Sequence, residues 1–228
     1  EETNYPFEEA IAFTVSTGEK VAFPFYLRIP SWTQKAEVRV NGKKVSAAPV
    51  AGKYLCINRE WANGDRVELT LPMSLSMRPW QVNKNSVSVD YGPLTLSLKI
   101  AEKYVEKDSR ETAIGDSKWQ KGADSKKWPT TEIYPDSPWN YSLVLDKKEP
   151  LKNFKVIRKS WPTDNYPFTV ASVPLEVKAI GRPVPEWKID ETGLCGVLPE
   201  EDAVKGDKEE ITLIPMGAAR LRISAFPN

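Results

Sequence analysis

Alternation of apolar and polar residues at period two runs through most of this chain and leaves room for little but stacked β-sheets. Ile11, Phe13 and Val15 alternate with Ala12 and Thr14, and Val38 and Val40 alternate with Glu37 and Arg39. Val67, Leu69 and Leu71 share one face of residues 66–71. Val87, Val89 and Tyr91 are followed, across Gly92-Pro93, by Leu94, Leu96 and Leu98. Successive strand side chains point to opposite faces, so such runs bury one face and leave the other wet. Asn41-Gly42 after an alternating run, with Lys43-Lys44-Val45 beyond it, is a strong short hairpin signal, and Asn63-Gly64-Asp65 reads as a turn. The 19 prolines and 12 glycines break the runs at roughly the 8–12-residue spacing of an antiparallel sandwich.

Further strands are expected at Tyr54–Ile57, Asn140–Leu145, Phe154–Lys159, Val173–Ile180, Gly193–Val197, Glu210–Pro215 and Ala218–Ala225. Helical periodicity is scarce: Tyr104–Ala113 and Glu200–Ala203 could each hold a short helix, neither with an apolar stripe. Residues 106–130 mix charges, Gly and Ser with isolated tryptophans and read as a loop or boundary. The 228 residues suit two domains of about 100 residues each. The terminal LRISAF is too hydrophobic to stand alone, and the first sandwich is its natural host. The expected architecture is all-β: two antiparallel, jelly-roll-like β-sandwiches, the second inserted into the first. The first takes residues 1–100 plus 206–228 and the second takes 101–205. The opening residues EETNYPFEEA run straight into strand-like sequence, so the chain is expected to begin at a domain boundary of something longer.

The stretch FPFYLRIPSW, residues 23–32, shows what one such strand can do. Phe25, Leu27 and Ile29 are expected inward, and Pro30, which cannot donate to a ladder, ends the strand. Tyr26 and Arg28 then face the other way. Trp32, Trp61 and Trp80 lie just past strand ends and are expected to plug the edges of a core. Five of the 8 tryptophans, Trp119, Trp128, Trp139, Trp161 and Trp187, lie in loops of the second unit. There, stacking on the apolar face of a sugar and ordinary packing are both open.

Reactive chemistry is hard to assemble from these residues. Histidine is absent, which removes the usual general base near neutral pH and the commonest zinc ligand. Cys56 and Cys195 match no C-x-x-C spacing; they could form one disulfide, but read first as two free, buried thiols. Glu8-Glu9 would point to opposite faces of a strand, and Glu200-Glu201-Asp202 and Glu209-Glu210 read as solvated surface. No cation-binding loop, phosphate cradle or serine elbow is present. No catalytic, cofactor-binding or metal-ligating residue is therefore assigned. Lysine plus arginine total 32 against 31 acids, so no strong field gathers nucleic acid or an anionic membrane. No apolar run approaches the roughly 18 residues that cross a bilayer.

The stretches TNYPFEEAIAFTV, FPFYLRIPSW with AEVRVNG behind it, INREWANGDRVELTLPM, VDYGPLTL and TLIPMGAARLRISAFP occur in this order. Together they resemble the C-terminal part of the bacterial β-L-arabinofuranosidase-like family, glycoside hydrolase family 127 and its relatives. Between residues 101 and 205 the resemblance rests mainly on WNYSL, PLEVKAIGRPVPEW and VLPE. The resemblance implies a parent glycosidase whose N-terminal (α/α)6 barrel holds a glutamate acid/base, a cysteine nucleophile and zinc. It also implies β-sandwich domains after that barrel, the first taking back the C-terminal strand. Cys56 and Cys195 do not match the family's catalytic or zinc positions.

The expected role is thus a non-catalytic accessory region that braces or dimerises the barrel, not an enzyme by itself. Tyr26, Arg28, Trp32 and Trp80 are candidates for interdomain contact. The alternative is a carbohydrate-binding module that holds arabinose-containing glycan through Trp119, Trp128, Trp139 or Trp161. Partners would be the barrel, a glycan or a second copy of the chain, with no nucleic acid or membrane. The resemblance further suggests a periplasmic or extracellular location.

Overall fold

The computed structural model describes residues 1–108, 124, 126–200 and 206–228. Among these the chain is all-β: strands are joined by turns and one 3-10 turn at Met216–Ala218, and every strand pairing is antiparallel. No helix among the described residues is long and apolar enough to cross a membrane. Contacts divide the chain into two compact units, Glu1–Arg78 with Ser88–Thr95, and Pro79–Val87 with Leu96–Asn228.

The first unit is built on two sheets. One has the order β1-β2-β7-β4-β5, with β1 at Glu2–Thr3, β2 at Ala10–Thr14, β4 at Glu37–Val40, β5 at Lys43–Lys44 and β7 at Arg66–Thr70. The other pairs β3 (Val21–Arg28) with β6 (Tyr54–Trp61) over eight residues of each, from Val21↔Trp61 to Arg28↔Tyr54. The alternation decides which faces meet. Val38, Val40, Val67 and Leu69 from the larger sheet form one buried cluster with Leu27, Leu55 and Trp61 from the smaller, and Ile29 joins them.

Trp61 has no exposed surface. Its ring stacks on Phe23 at 5.6 Å and meets Phe25 at 5.7 Å, and its Nε1 donates to the Phe23 carbonyl at 2.9 Å. Burying that ring therefore leaves no donor unpaired. The β4–β5 turn uses Asn41 and Gly42 at φ of 50° and 75°, the left-handed pair of a type I′ hairpin. Asp65 ties the neighbouring turn: its carboxylate accepts from the Ala62 amide at 2.9 Å and from Asn41 Nδ2 at 2.7 Å. Those donors, the Ala62 amide first, hold the Asp65 carboxyl below its ordinary range.

The strands β8 (Leu75–Trp80), β9 (Ser86–Tyr91) and β10 (Leu94–Leu98) are successive hairpins, and the chain passes from one unit to the other within each of them. At the β9–β10 turn Gly92 has φ of 55°, and a Cβ there would lie 2.6 Å from Met73 Cγ, so only glycine fits.

The second unit holds the rest of the sheet that includes β10, in the order β13-β15-β16-β10, with β14 also paired to β15. These strands are β13 (Tyr141–Leu143), β14 (Lys155–Arg158), β15 (Leu175–Pro183) and β16 (Glu209–Pro215). Val177, Ala179, Leu213, Leu96 and Leu98 are buried in it. A separate hairpin pairs β11 (Glu102–Lys107) with β12 (Thr130–Pro135).

These findings differ from the sequence reading in four places. Residues 206–228 fall with 96–200, not with the first sandwich. The cause is β16, which pairs with β15 over five residues (Val177–Gly181 with Glu209–Leu213) and meets β10 only at Leu96–Leu98. Residues 218–225 form no strand; the segment instead supplies single hydrogen bonds, such as Leu98 N to the Ile223 carbonyl at 2.8 Å. The start of the expected helix at Tyr104–Ala113 is strand β11, because β12 offers a partner that short-range propensity does not register. Gly193–Val197 forms only an isolated bridge, Ile189↔Cys195. Residues 109–123 and 201–205, which carry the remainder of both expected helices, lie outside the described residues.

Two stability predictions follow from these contacts. Trp61→Ala removes a fully buried ring and is expected to cost about 3–5 kcal/mol, read as a lower urea midpoint. The second concerns Glu176 on β15, whose carboxylate takes hydrogen bonds from both Lys99 Nζ and Lys159 Nζ. Burial alone would raise its carboxyl, but the two ammonium groups prevail and hold it below the ordinary 4.5. Its contribution is present above the unfolded-state value and is lost as pH falls through the lower folded-state value. Glu176→Gln should therefore cost about 2 kcal/mol at pH 7, and the difference from the parent chain should shrink in acid. A gap that stays constant down to pH 3 would refute this account.

Candidate functional site

The second unit contains a cleft of about 570 Å³. Ile100 and Ile223, both buried, form an apolar floor. Trp139 lines one side, and its indole meets that of buried Trp187 edge-on at 5.2 Å and 65°. Trp187 is fixed in turn by Nε1 donating to the Gly196 carbonyl at 2.9 Å. Edge-on contact with a locked neighbour holds the Trp139 ring in one orientation.

A loop from Ile189 to Cys195 borders the cleft. The Asp190 carboxylate organises it, accepting from the Thr192 amide and hydroxyl at 2.8 and 2.6 Å and from the Leu194 amide at 3.0 Å. These bonds, the Thr192 hydroxyl first, hold the Asp190 carboxyl below its ordinary range. Gly193 at φ of 83° turns the chain. The result leaves Leu194 at the surface, 66% exposed.

Residues of β12 also line the cleft, with Tyr134 half exposed and its hydroxyl donating to Glu132. Arg220 and Arg222 also line the cleft. The Arg220 guanidinium is hydrogen-bonded by the phenols of Tyr166 and Tyr104. Its backbone amide donates to Glu102 Oε1 at 2.9 Å, and the other oxygen of Glu102 accepts from the Tyr104 hydroxyl at 2.5 Å. Arg222 Nε donates to the Ala219 carbonyl at 2.8 Å. Tyr166 also meets Phe168 edge-on at 5.8 Å, so exposed aromatic surface continues beyond Arg220.

Of the described loop tryptophans singled out from sequence, Trp139 lines the cleft, and Trp128 and Trp161 are not among its lining residues. Trp128 is 72% exposed, and Trp161 is half-buried with Nε1 donating to Asn165 Oδ1 at 2.7 Å. Trp119 lies outside the described residues. Sequence reasoning missed Arg220, Arg222 and Tyr134, because only the fold brings residues 132–135 and 220–223 together.

The interdomain candidates also separate. Tyr26 and Arg28 project from the outer face of β3, where Tyr26 opposes Cys56 and Arg28 opposes Tyr54. Tyr26 and Tyr54 are 61% and 68% exposed. A hydrogen bond with the Cys56 thiol raises the Tyr26 phenol above its ordinary range. Trp32 is half-buried against the core of the first unit. Trp80 belongs to the hairpin segment Pro79–Val87 and is 39% exposed, so it does not plug a core.

Both cysteines are free but exposed, which corrects the expectation of buried thiols. Cys56 falls on the outward register of β6, between inward Leu55 and Ile57, and Cys195 sits on the loop beside the cleft. They lie in different units, and no three Cys, Asp or Glu side chains cluster as metal ligands among the described residues. The zinc set that the family resemblance implies does not fit these residues.

Comparison with known proteins agrees with the resemblance read from the sequence. Residues 1–73 match the family model described as the middle domain of GH127 β-L-arabinofuranosidase. A search of curated proteins finds no match. Among solved structures, a GH127 β-L-arabinofuranosidase from Geobacillus stearothermophilus T6 is 23% identical with a TM-score of 0.54 over 98% of this chain and 28% of its own. A structure described as a glycoside hydrolase gives 22% identity and a TM-score of 0.53 over 99% of this chain and 31% of its own. A GH127 β-arabinofuranosidase gives 20%, 0.57, 99% and 31% in the same terms. These structural likenesses concern the fold, and this chain spans only 28% to 31% of the proteins it matches.

The exposure of both thiols is directly measurable. Iodoacetamide is expected to add two labels to the folded chain without denaturant, seen as two mass increments. A cysteine that reacts only after unfolding would contradict its placement at the surface.

Proposed function

We propose that this chain is a non-catalytic accessory region of a glycosidase of the β-L-arabinofuranosidase type, and that it braces that enzyme's catalytic barrel. The observation that carries this reading is the match of residues 1–73 to the family's middle domain. The chain's 28% to 31% share of the longer enzymes it resembles in fold agrees with a part played within a larger protein. The residue inventory supports it too. Histidine is absent, and the cleft's carboxylate at Glu132 is engaged by Tyr134, with no second acid among the described residues that line the same space.

The outer face of β3 and β6 is the docking surface in this reading. Tyr26 and Tyr54 give it large amphipathic rings and Arg28 gives it a planar donor, the residue types enriched at protein interfaces. Its opposite face is committed to the core through Leu27, Leu55 and Trp61, so the sheet has only this face left to offer. Contact with a second copy of the chain is the competing use of the same surface.

The chain alone is expected to turn over no arabinofuranoside, whereas the protein that carries the barrel should. A Tyr26→Glu/Tyr54→Glu double variant should leave the urea midpoint of the isolated chain unchanged and lower the melting temperature of the barrel-bearing protein. Turnover by the chain alone, or a double variant without effect in the longer protein, would overturn the reading. Sedimentation of the isolated chain as a dimer that the double variant dissolves would reassign the face to self-association.

A further inference from the structure

We propose that the cleft of the second unit binds a short acidic oligosaccharide, with Arg220 and Arg222 holding a uronic-acid carboxylate and Trp139 and Tyr134 against the sugar rings. This goes beyond the accessory role and does not depend on how the first unit is used. The volume, about 570 Å³, falls inside the range of about 300–1,000 Å³ typical of small-ligand sites. Its make-up also fits: an apolar floor, aromatic sides and a small number of converging polar groups. Sugar rings present C–H faces that pack on aromatic rings, and Trp139 is held at a fixed angle by buried Trp187.

Charge decides between a neutral and an acidic ligand. Two arginines line the cleft, and the nearby carboxylates are turned to other donors. Glu132 accepts from the Tyr134 hydroxyl, and Glu102 accepts from the Arg220 amide and the Tyr104 hydroxyl. A guanidinium has five N–H donors in a planar fork that matches a carboxylate bidentately. Arg222 gives Nε to the Ala219 carbonyl, which anchors its base and leaves the terminal end of the fork for a ligand. Arg220 is held through hydrogen bonds with Tyr166 and Tyr104. Hydrogen-bonded Glu132 keeps its charge, but two arginines against this one carboxylate leave the described lining net positive, a balance that a uronate complements better than a neutral sugar.

Cys195 lines the cleft and is exposed, while Cys56 lies in the first unit, so the two thiols report on occupancy independently. Alkylation of the native chain by iodoacetamide should be followed at each cysteine by peptide mass spectrometry, with trigalacturonic acid and with neutral arabinotriose. At tenfold excess over its dissociation constant, trigalacturonic acid should slow Cys195 about tenfold and leave Cys56 unchanged, with arabinotriose ineffective. Arg222→Gln should lose this protection while melting at the same temperature as the parent chain. Equal slowing of both cysteines, no slowing at ~10 mM ligand, or equal protection by the neutral trisaccharide would overturn the proposal. So would unchanged protection in Arg222→Gln. None of these outcomes depends on whether the chain braces a barrel.

Discussion

The first unit depends on one contact: the Trp61 ring held between two sheets with its only polar atom satisfied. Sheets that pack face to face need a continuous apolar layer about 10 Å thick. A two-stranded sheet cannot supply that layer with small side chains, and β3–β6 supplies it with Phe23, Phe25 and Trp61 in mutual contact. The Nε1 bond to the Phe23 carbonyl fixes the ring against the strand it faces. Arg59 lies 5.0 Å over the same ring and also pairs with Asp65 at 3.3 Å, which links the core to the turn that starts β7. With β3–β6 thus committed on one side, Tyr26, Arg28, Tyr54 and Cys56 are forced outward by the period of the strand.

The second unit is organised by polar contacts between distant segments. Glu176 on β15 is clamped by Lys99 and Lys159, from either side of its sheet position. Tyr141 on β13 has its phenol pushed up to about 12, by burial first and then by its bond to Glu209. Asn140 Nδ2 donates to the carbonyls of Val184 and Trp187 at 2.9 and 3.1 Å, which seats the segment that carries Trp187 and so the angle of Trp139. The cleft therefore inherits its geometry from the sheet beside it. Its walls come from β12, Trp139, the loop at 189–195 and the segment after the 3-10 turn, pieces that no local motif connects.

Much of the strand inventory was legible in the residues. The alternations at 11–15, 38–40, 66–71, 87–91 and 94–98 all correspond to strands, as does the Asn-Gly hairpin. Inward Leu27 and Ile29 and outward Tyr26 and Arg28 were likewise readable from period alone. What could not be read was partner choice. Tyr104 looks helical by charge content and is in a strand because Ile133 lies opposite. Cys56 looks buried by residue type and is exposed because its register sets it beside Tyr26. LRISAF looks like a strand and is not one, because its groups are taken up singly by Ser97, Leu98 and Val87.

By itself, then, the sequence determined the all-β class, the faces of most strands and the absence of histidine chemistry, because these depend on residue type and on a two-residue period that acts locally. Its ordered stretches also carried the likeness to the β-L-arabinofuranosidase middle domain over residues 1–73. Only the tertiary structure decided which strands β16 joins and that Trp139, Tyr134, Arg220 and Arg222 border one space. The reason is that pairing at the separations β16 spans, from Gly181↔Glu209 to Leu96↔Pro215, is selected by competition among all available edges and faces, and no short window of the chain contains that competition.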